Sequence, residues 1–278
     1  MENTMNTPID ELFEKIWQSY LPLAPDAQPI YDLFANQNNG RLINDHIALR
    51  TFNLPKVSLE KIALPFIHAG YQAEGEYEFP GRKLFARHFQ HSNPELPKVF
   101  ISELLVEELS SQVSEIIQGL VSQIDERDVL KAHFCHSGRP WTIDIKSYEQ
   151  LLKESEYAAW IAAHGYQANH FTVSINYLKS DNEIAQINKK IIDAGFKMNE
   201  SGGLVKGSPS VLLEQSSTMA KDVNVSFSDG EKQVPGCFYE FAKRYPMIDG
   251  KLYQGFVAAS ADKIFESTHT LPHSDKNT

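Results

Sequence analysis

The sequence has little cysteine, no excess of basic charge and no long apolar run. Its 278 residues include two cysteines, Cys135 and Cys237, too few for the disulfide framework on which small secreted domains rely. Lysine and arginine number 26 against 36 aspartates and glutamates, a net charge of −10. That field repels a phosphate backbone and no basic cluster interrupts it, so no nucleic-acid partner is expected. No apolar stretch approaches the roughly 20 residues of a membrane helix, so no membrane partner is expected either. Met1 to Trp17 carries neither a basic n-region nor an apolar run, which argues against a signal peptide and for a cytoplasmic protein. The H-E-x-x-H and G-x-S-x-G patterns of zinc proteases and serine hydrolases are missing. Residues 202–208 are glycine-rich but fit neither the P-loop nor the dinucleotide fingerprint. They read as a turn entering a strand. With 42% hydrophobic and 22% charged residues, the composition is that of an ordinary globular protein.

What is present is a repeat. Asn44-Asp45-His46-Ile47-Ala48-Leu49-Arg50-Thr51-Phe52 reads as a strand with Ile47, Leu49 and Thr51 on one face and His46, Ala48 and Arg50 on the other. Residues 169–177 repeat the pattern, with Phe171, Val173, Ile175 and Tyr177 on one face and His170, Thr172, Ser174 and Asn176 opposite. A helix-like stretch follows each strand and closes on alanine-glycine. Gly70 lies 24 residues beyond His46, and Gly195 lies 25 beyond His170. Two copies of a strand–helix–strands module are therefore expected, each opening with a histidine.

In chain order, 278 residues are read as a single α+β domain. N-terminal helices cover 7–36, with Thr7 as N-cap before Pro8. The first module covers 44–101. It has a helix from Leu59 to Gly70, a hairpin over 71–89 turning at Pro80-Gly81, and a last strand near 99–101. A mostly helical insertion fills 102–165. Leu104, Leu105, Leu109, Val113, Ile116, Ile117 and Leu120 suggest one long helix, and 142–145 alternates like a short strand. Residues 147–150 form a capping box before a helix ending near Gly165. The second module covers 168–245, with a capping box at 180–183 before the stripe Ile184, Ile187, Ile191 and Ile192. Strands are expected over 204–219, 223–227 and 236–242. A closing segment, 250–268, adds a strand and a helix, and the last dozen residues read as disordered.

Glu240 interrupts the apolar and aromatic run of 236–242. Two strand histidines, His46 and His170, and this glutamate suggest a mononuclear metal site. Two imidazoles and a carboxylate on one side of a metal leave positions open, the arrangement of non-heme Fe(II) oxygen chemistry. Taken singly, each residue has a plainer reading. A strand histidine is commonly a hydrogen-bonded core residue, and Glu240 could pair with Lys243 or Arg244. The matching positions in a repeat favour the site, because a pseudo-twofold brings the histidines together. Arg50 shares His46's face about 13 Å further along, at about 3.3 Å per residue, and its long side chain could lean back; the alternative is a surface or capping arginine. His133-Phe134-Cys135-His136 lacks the paired spacings of structural zinc sites, and His88 and His91 are expected to be solvated.

The stretches Asp45-His46-Ile47-Ala48-Leu49-Arg50-Thr51-Phe52, Asn169-His170-Phe171-Thr172, Phe238-Tyr239-Glu240-Phe241 and 261–268 resemble the 2-oxoadipate dioxygenase/decarboxylase family over residues 10–268. That family belongs to the vicinal-oxygen-chelate superfamily. The resemblance implies two βαβββ modules forming a metal-centred half-barrel, with Fe(II) held by His46, His170 and Glu240 and substrate bound by Arg50. It implies conversion of 2-oxoadipate, or a similar 2-oxo acid, and O2 to 2-hydroxyglutarate and CO2, a step in lysine breakdown. The competing readings are another chelate-type metalloenzyme, such as an extradiol dioxygenase or an isomerase, and a metal-free small-molecule-binding module. Arg82 and Arg244 stand behind Arg50 as readers of a distal carboxylate.

Overall fold

The structure, a computed structural model, describes residues 8–180 and 182–268. The chain opens on two amphipathic helices, α1 (Pro8–Tyr20) and α2 (Ala27–Ala35). The first module follows as β1 (Asn44–Phe52), α3 (Leu59–His68), β2 (Gln72–Phe79), β3 (Leu84–Gln90) and β4 (Lys98–Leu104). Then come α4 (Ser111–Ser122), α5 (Glu126–Val129), α6 (Ile145–Glu154) and α7 (Glu156–His164). The second module is β5 (Ala168–Ser174), α8 (Ile184–Asp193), β6 (Lys206–Ser208) and β7 (Leu213–Ser217). After a separate hairpin, β8 (Asp222–Phe227) and β9 (Gly230–Pro235), it finishes with β10 (Phe238–Arg244). Helix α9 (Ala258–Ile264) and a 3-10 turn, Phe265–Thr268, close the described chain.

The eight-stranded sheet has the order β2-β3-β4-β1-β5-β10-β7-β6. Read outward from the antiparallel β1/β5 seam, the two halves match. β1 runs parallel to β4, β5 runs parallel to β10, and each half ends in a hairpin. These are two βαβββ modules in one curled half-barrel, as the resemblance implies. Both crossover helices stop the same way. Gly70 and Gly195 adopt φ of +97° and +89°, the left-handed conformation that glycine tolerates without a Cβ clash. The next residue then bonds back, Tyr71 N–H to Phe66 O at 3.0 Å and Phe196 N–H to Ile191 O at 3.2 Å, capping the helix.

The alternation in β1 and β5 decides what each face of the sheet does. Ile47 and Leu49 of β1, with Phe171 and Val173 of β5, are buried on the helix-covered face. Trp17 and Tyr20 of α1 meet the Phe171 ring at 4.9 and 5.0 Å, and Phe34 of α2 meets Phe241 of β10 at 5.6 Å. Burial of a side chain of this size contributes about 1.5–3 kcal/mol. The opposite face, inside the curl, is left for His46, Ala48, Arg50, His170 and Glu240.

Several local expectations are corrected. Leu104 ends β4, and α4 begins only at Ser111, where the Ser110 hydroxyl accepts from Val113 N–H. Residues 142–145 form no strand. Asp144 caps α6 by accepting from Ser147 N–H at 2.6 Å, so a local side-chain bond prevails over a four-residue alternation. Residues 147–150 are therefore helix interior and not a cap. Ser155 splits the helix running to Gly165 into α6 and α7. Helix α8 has Glu183 at its N-cap with no side-chain capping bond; Asp181 of the expected capping box lies outside the described residues. β5 stops at Ser174, leaving Ile175 and Tyr177 in a 3-10 turn with Tyr177 exposed. Residues 204–219 hold two short strands, and β8 leaves the main sheet to pair with the unexpected β9. The tail forms an isolated bridge, Pro246 with Leu252, in place of a strand near 253. Thr7 and residues 269–278 lie outside the described residues.

Candidate metal centre

Cross-strand register assembles the site. In one row, His46 of β1 faces Thr172 of β5, which faces Glu240 of β10. In the next row, Ala48 faces His170, which faces Phe238. The structure thus brings His46, His170 and Glu240 together with their ligand atoms within 4.8 Å of one another, all three buried. His46 Nε2 lies 3.5 Å from Glu240 Oε1, and His170 Nε2 lies 3.3 Å from Glu240 Oε2.

Those contacts are not ion pairs. Burial pushes the Glu240 carboxyl up to about 8, lowers His46 and holds His170 well below the usual imidazole range. Each group is driven toward its neutral form, because desolvation outweighs the charges nearby. Glu240 Oε2 is buried without a hydrogen-bond partner, while Oε1 accepts from Gln215 Nε2 at 2.6 Å. Two unprotonated imidazoles and a carboxyl group with an unused oxygen form a donor set that fits a divalent transition metal, which Glu240 would hold in its deprotonated form. The triad could hold such an ion.

The residue before each histidine orients it. The β1/β5 register slips at Asp45 and again at Asn169. A bulge at such a point re-aims a side chain that strict alternation would send away. Asp45 Oδ1 lies 2.8 Å from His46 Nδ1, and Asn169 Oδ1 lies 3.2 Å from His170 Nδ1. Both rings can then carry their proton on Nδ1 and present Nε2 to the cavity. Asp45 is in turn gripped by Arg244, Nε to Oδ2 at 2.6 Å and NH2 to Oδ1 at 2.9 Å. Lys243 pairs with Glu183, so neither basic neighbour neutralises Glu240.

Arg50 lies in the same cavity, buried, with its Nε lacking a partner. Its guanidinium sits over Trp160 and Tyr157 of α7, 4.9 and 5.0 Å from the ring centroids, and over Phe265 at 5.7 Å. Burial lowers it to about 10, which still leaves it cationic at neutral pH. Its alternates are engaged elsewhere. Arg244 holds Asp45, and Arg82 bonds Asp262 at 2.6 Å and Glu266 at 3.3 Å. The helical insertion thus supplies aromatic support for Arg50 through Tyr157 and Trp160.

Sequence reasoning missed Gln215, Phe256 and the two aromatics of α7, because their place depends on packing and not on any motif. It also placed His88 in solvent. The structure buries His88, with Nδ1 2.9 Å from Tyr77 OH and Nε2 2.7 Å from Gln90, and burial lowers it to about 4. Phe256 covers this corner, its ring 4.8 Å from that of His46 and 5.2 Å from that of His88. His133 and His136 lie in a 3-10 turn outside the cavity lining.

Comparison with known proteins agrees with this construction. The family model for 2-oxoadipate dioxygenase/decarboxylase matches residues 24–136 and 118–252. The chloroplastic 2-oxoadipate dioxygenase/decarboxylase of Arabidopsis thaliana is 36% identical over 275 residues, covering 90% of this chain and 74% of the relative. A crystal structure from Shewanella frigidimarina, provisionally described as a hydrolase, is 53% identical with a TM-score of 0.88, covering 92% of this chain and 100% of that one. The hydroxyglutarate synthase of Oryza sativa, solved in complex with 2-oxoadipate, is 35% identical with a TM-score of 0.86, covering 93% of this chain and 91% of that one. With a family match across most of its length and a relative this similar, the chain belongs to the 2-oxoadipate dioxygenase/decarboxylase family.

Proposed function

We propose that this protein is a non-heme Fe(II) enzyme that converts 2-oxoadipate and O2 to 2-hydroxyglutarate and CO2, with His46, His170 and Glu240 holding the metal. The observation that carries the reading is one cavity containing both a buried, charge-poor metal triad and a buried guanidinium with an unused Nε. A 2-oxo diacid has matching ends, a vicinal keto acid and a remote carboxylate. The rice relative's complex with 2-oxoadipate supports that choice. When bound, iron supplies a Lewis-acid template for the vicinal oxygens and the redox capacity that O2 chemistry needs.

The chain's own residues do the rest. Arg50 binds the remote carboxylate, which would be costly to bury unpaired. Asp45 and Asn169 keep the imidazole protons on Nδ1 and so leave both Nε2 atoms as acceptors. That of His46 takes the Thr172 hydroxyl at 3.1 Å, a contact that a metal would replace. Phe100, Phe256 and Phe265 wall the cavity and limit water. No helix among the described residues is long and apolar enough to cross a membrane. Both cysteines are buried and unpaired, which suits the reducing interior of a cytoplasm and supports our placing the enzyme there.

The test is metal analysis of protein purified without oxygen, followed by oxygen uptake with a panel of 2-oxo acids and no added 2-oxoglutarate. One iron per chain, O2 consumption and CO2 release with a 2-oxo diacid are expected. Zinc or nickel in aerobic preparations would follow from their higher intrinsic affinity. If no 2-oxo acid stimulates oxygen uptake by the iron-loaded protein, the decarboxylating reading is wrong, and a ring-cleaving or binding role takes its place.

A further inference from the structure

Four buried polar atoms without a hydrogen-bond partner belong to residues that line the metal cavity: Arg50 Nε, Asn169 Nδ2, Gln215 Oε1 and Glu240 Oε2. Buried polar groups are normally paired, so each orphan needs an occupant. The function proposed above accounts for Glu240 through the metal and for Arg50 through a remote carboxylate. Two are left. Gln215 commits its amide nitrogen to Glu240, so what it offers the cavity is an acceptor. Asn169 offers a donor.

Its direction follows from the chemistry of His170. For Nε2 to present a lone pair beside Glu240, the ring must carry its proton on Nδ1. That N–H needs an acceptor, and Asn169 Oδ1 is the atom within reach, at 3.2 Å. The amide is thereby fixed with oxygen to the histidine and Nδ2 turned away, buried and unpartnered, in a residue that lines the cavity. The matching position of the first module is built differently. Asp45 holds His46 in the same way, but Arg244 takes its carboxylate oxygens and Asp45 does not line the cavity. One module spends its bulge residue wholly on the metal ligand. The other keeps a donor spare.

We infer that Asn169 is a substrate-binding residue, donating from Nδ2 to an oxygen of the 2-oxo acid's vicinal carboxylate–keto end. Arg50 and Asn169 then divide the ligand, one donor at each end. A neutral amide suits the metal end, because the cation already supplies the positive charge there and a second full charge would repel it. This inference rests on the 2-oxo acid reading of the site.

The experiment compares wild type with Asn169→Asp and Asn169→Ala, loaded with a redox-inert divalent metal. Metal affinity is read by chelator competition and 2-oxoadipate binding by calorimetry. Asn169→Asp keeps an acceptor for His170 Nδ1–H and loses the donor. It should hold metal within a few-fold of wild type and bind the 2-oxo acid about 10- to 150-fold more weakly, the range for a lost hydrogen bond to a charged group. Asn169→Ala should weaken both. If Asn169→Asp binds 2-oxoadipate as wild type does, or loses metal as completely as His170→Ala, the substrate role is overturned while the proposed function stands. If wild type itself binds no 2-oxo acid, the function falls first and the inference with it. A crystal structure of the wild-type complex tests the point without a variant. Nδ2 should lie within hydrogen-bonding distance of a ligand oxygen, and an amide turned away from the ligand overturns the proposal.

Discussion

Asp45 is a buried carboxylate that must remain charged to be useful. Burial alone would raise it, but Arg244 and the His46 ring hold it well below the usual carboxylate range. Asp45→Asn keeps an acceptor near His46 Nδ1 while leaving the Arg244 guanidinium with a neutral partner. Partners at this distance from a metal typically govern 10- to 100-fold in affinity, and a loss within about that range is expected by chelator competition. Unchanged affinity would show that the Asp45–Arg244 pair only supports the fold. Arg50 makes a different kind of contact. A guanidinium matches a carboxylate with two parallel N–H groups, which an ammonium cannot copy. Arg50→Lys should lower kcat/KM for the diacid about 10- to 150-fold while iron content stays at one per chain. It should also erase the preference for a diacid over a monocarboxylic 2-oxo acid of similar length. A preference surviving in both Arg50→Lys and Arg50→Ala would give the role to another group.

The elements that were legible in the sequence are those whose signal is local. β1 and β5 announce themselves by seven or more residues of alternation with polar side chains on one face, and α3 and α8 by an apolar stripe ending in alanine-glycine. The metal candidates followed because a repeat converts two separate histidines into neighbours. Four alternating residues at 142–145 carry no such information, and a cap made by Asp144 decided them. β9, Gly-Glu-Lys-Gln-Val-Pro, has too little apolar content to be read as a strand. His88 was misplaced because β2 is largely exposed while its partner β3 turns alternate residues inward. The closing segment shows the same limit. Ala261, Ile264 and Phe265 wall the cavity, yet their docking depends on Arg82, which bonds Asp262 across 180 residues of sequence. Ser267 O, accepting from Ala220 N–H at 2.9 Å, pins the other end. Arg82→Ala should therefore free this segment without touching the triad. Amide exchange over 258–268 should quicken and kcat/KM fall about tenfold, the low end for charged hydrogen bonds, with metal retained. Unaltered exchange there would mean that the Ser267 and Asn199 contacts suffice to hold the wall.

At the scale of the whole molecule, the candidate ligands come from both halves, His46 from the first module and His170 and Glu240 from the second. A metal bound there closes the seam, and because the unfolded chain offers no such site, binding adds to stability by mass action. That is about 2.7 kcal/mol at a free metal concentration one hundred times Kd. Stripping the metal should lower Tm by several degrees, at about 2–4 °C per kcal/mol for a domain of 150–250 residues, and His170→Ala should show no metal-dependent shift. The metal-free protein should also be acid-sensitive for a reason away from the triad. Burial lowers both His88 and His164 from 6.5 to about 4, and His164 Nε2 lies 2.7 Å from Pro235 O, an acceptor suited to the neutral ring's N–H. In the unfolded chain these rings take up protons near 6.5, whereas the folded chain refuses them until about 4. Between those values the unfolded state binds more protons, so stability rises with pH. Their contribution is intact above 6.5 and is lost progressively as pH falls toward 4. Burial also raises Glu240 of the metal-free protein to about 8, which acts in the opposite sense over this range. The readout is therefore the comparison of two proteins: moving from pH 7.5 to pH 5 should cost wild type more of its urea midpoint than it costs His164→Asn. An equal change of midpoint in the two proteins would show that the His164 ring titrates in the fold as it does in the unfolded chain.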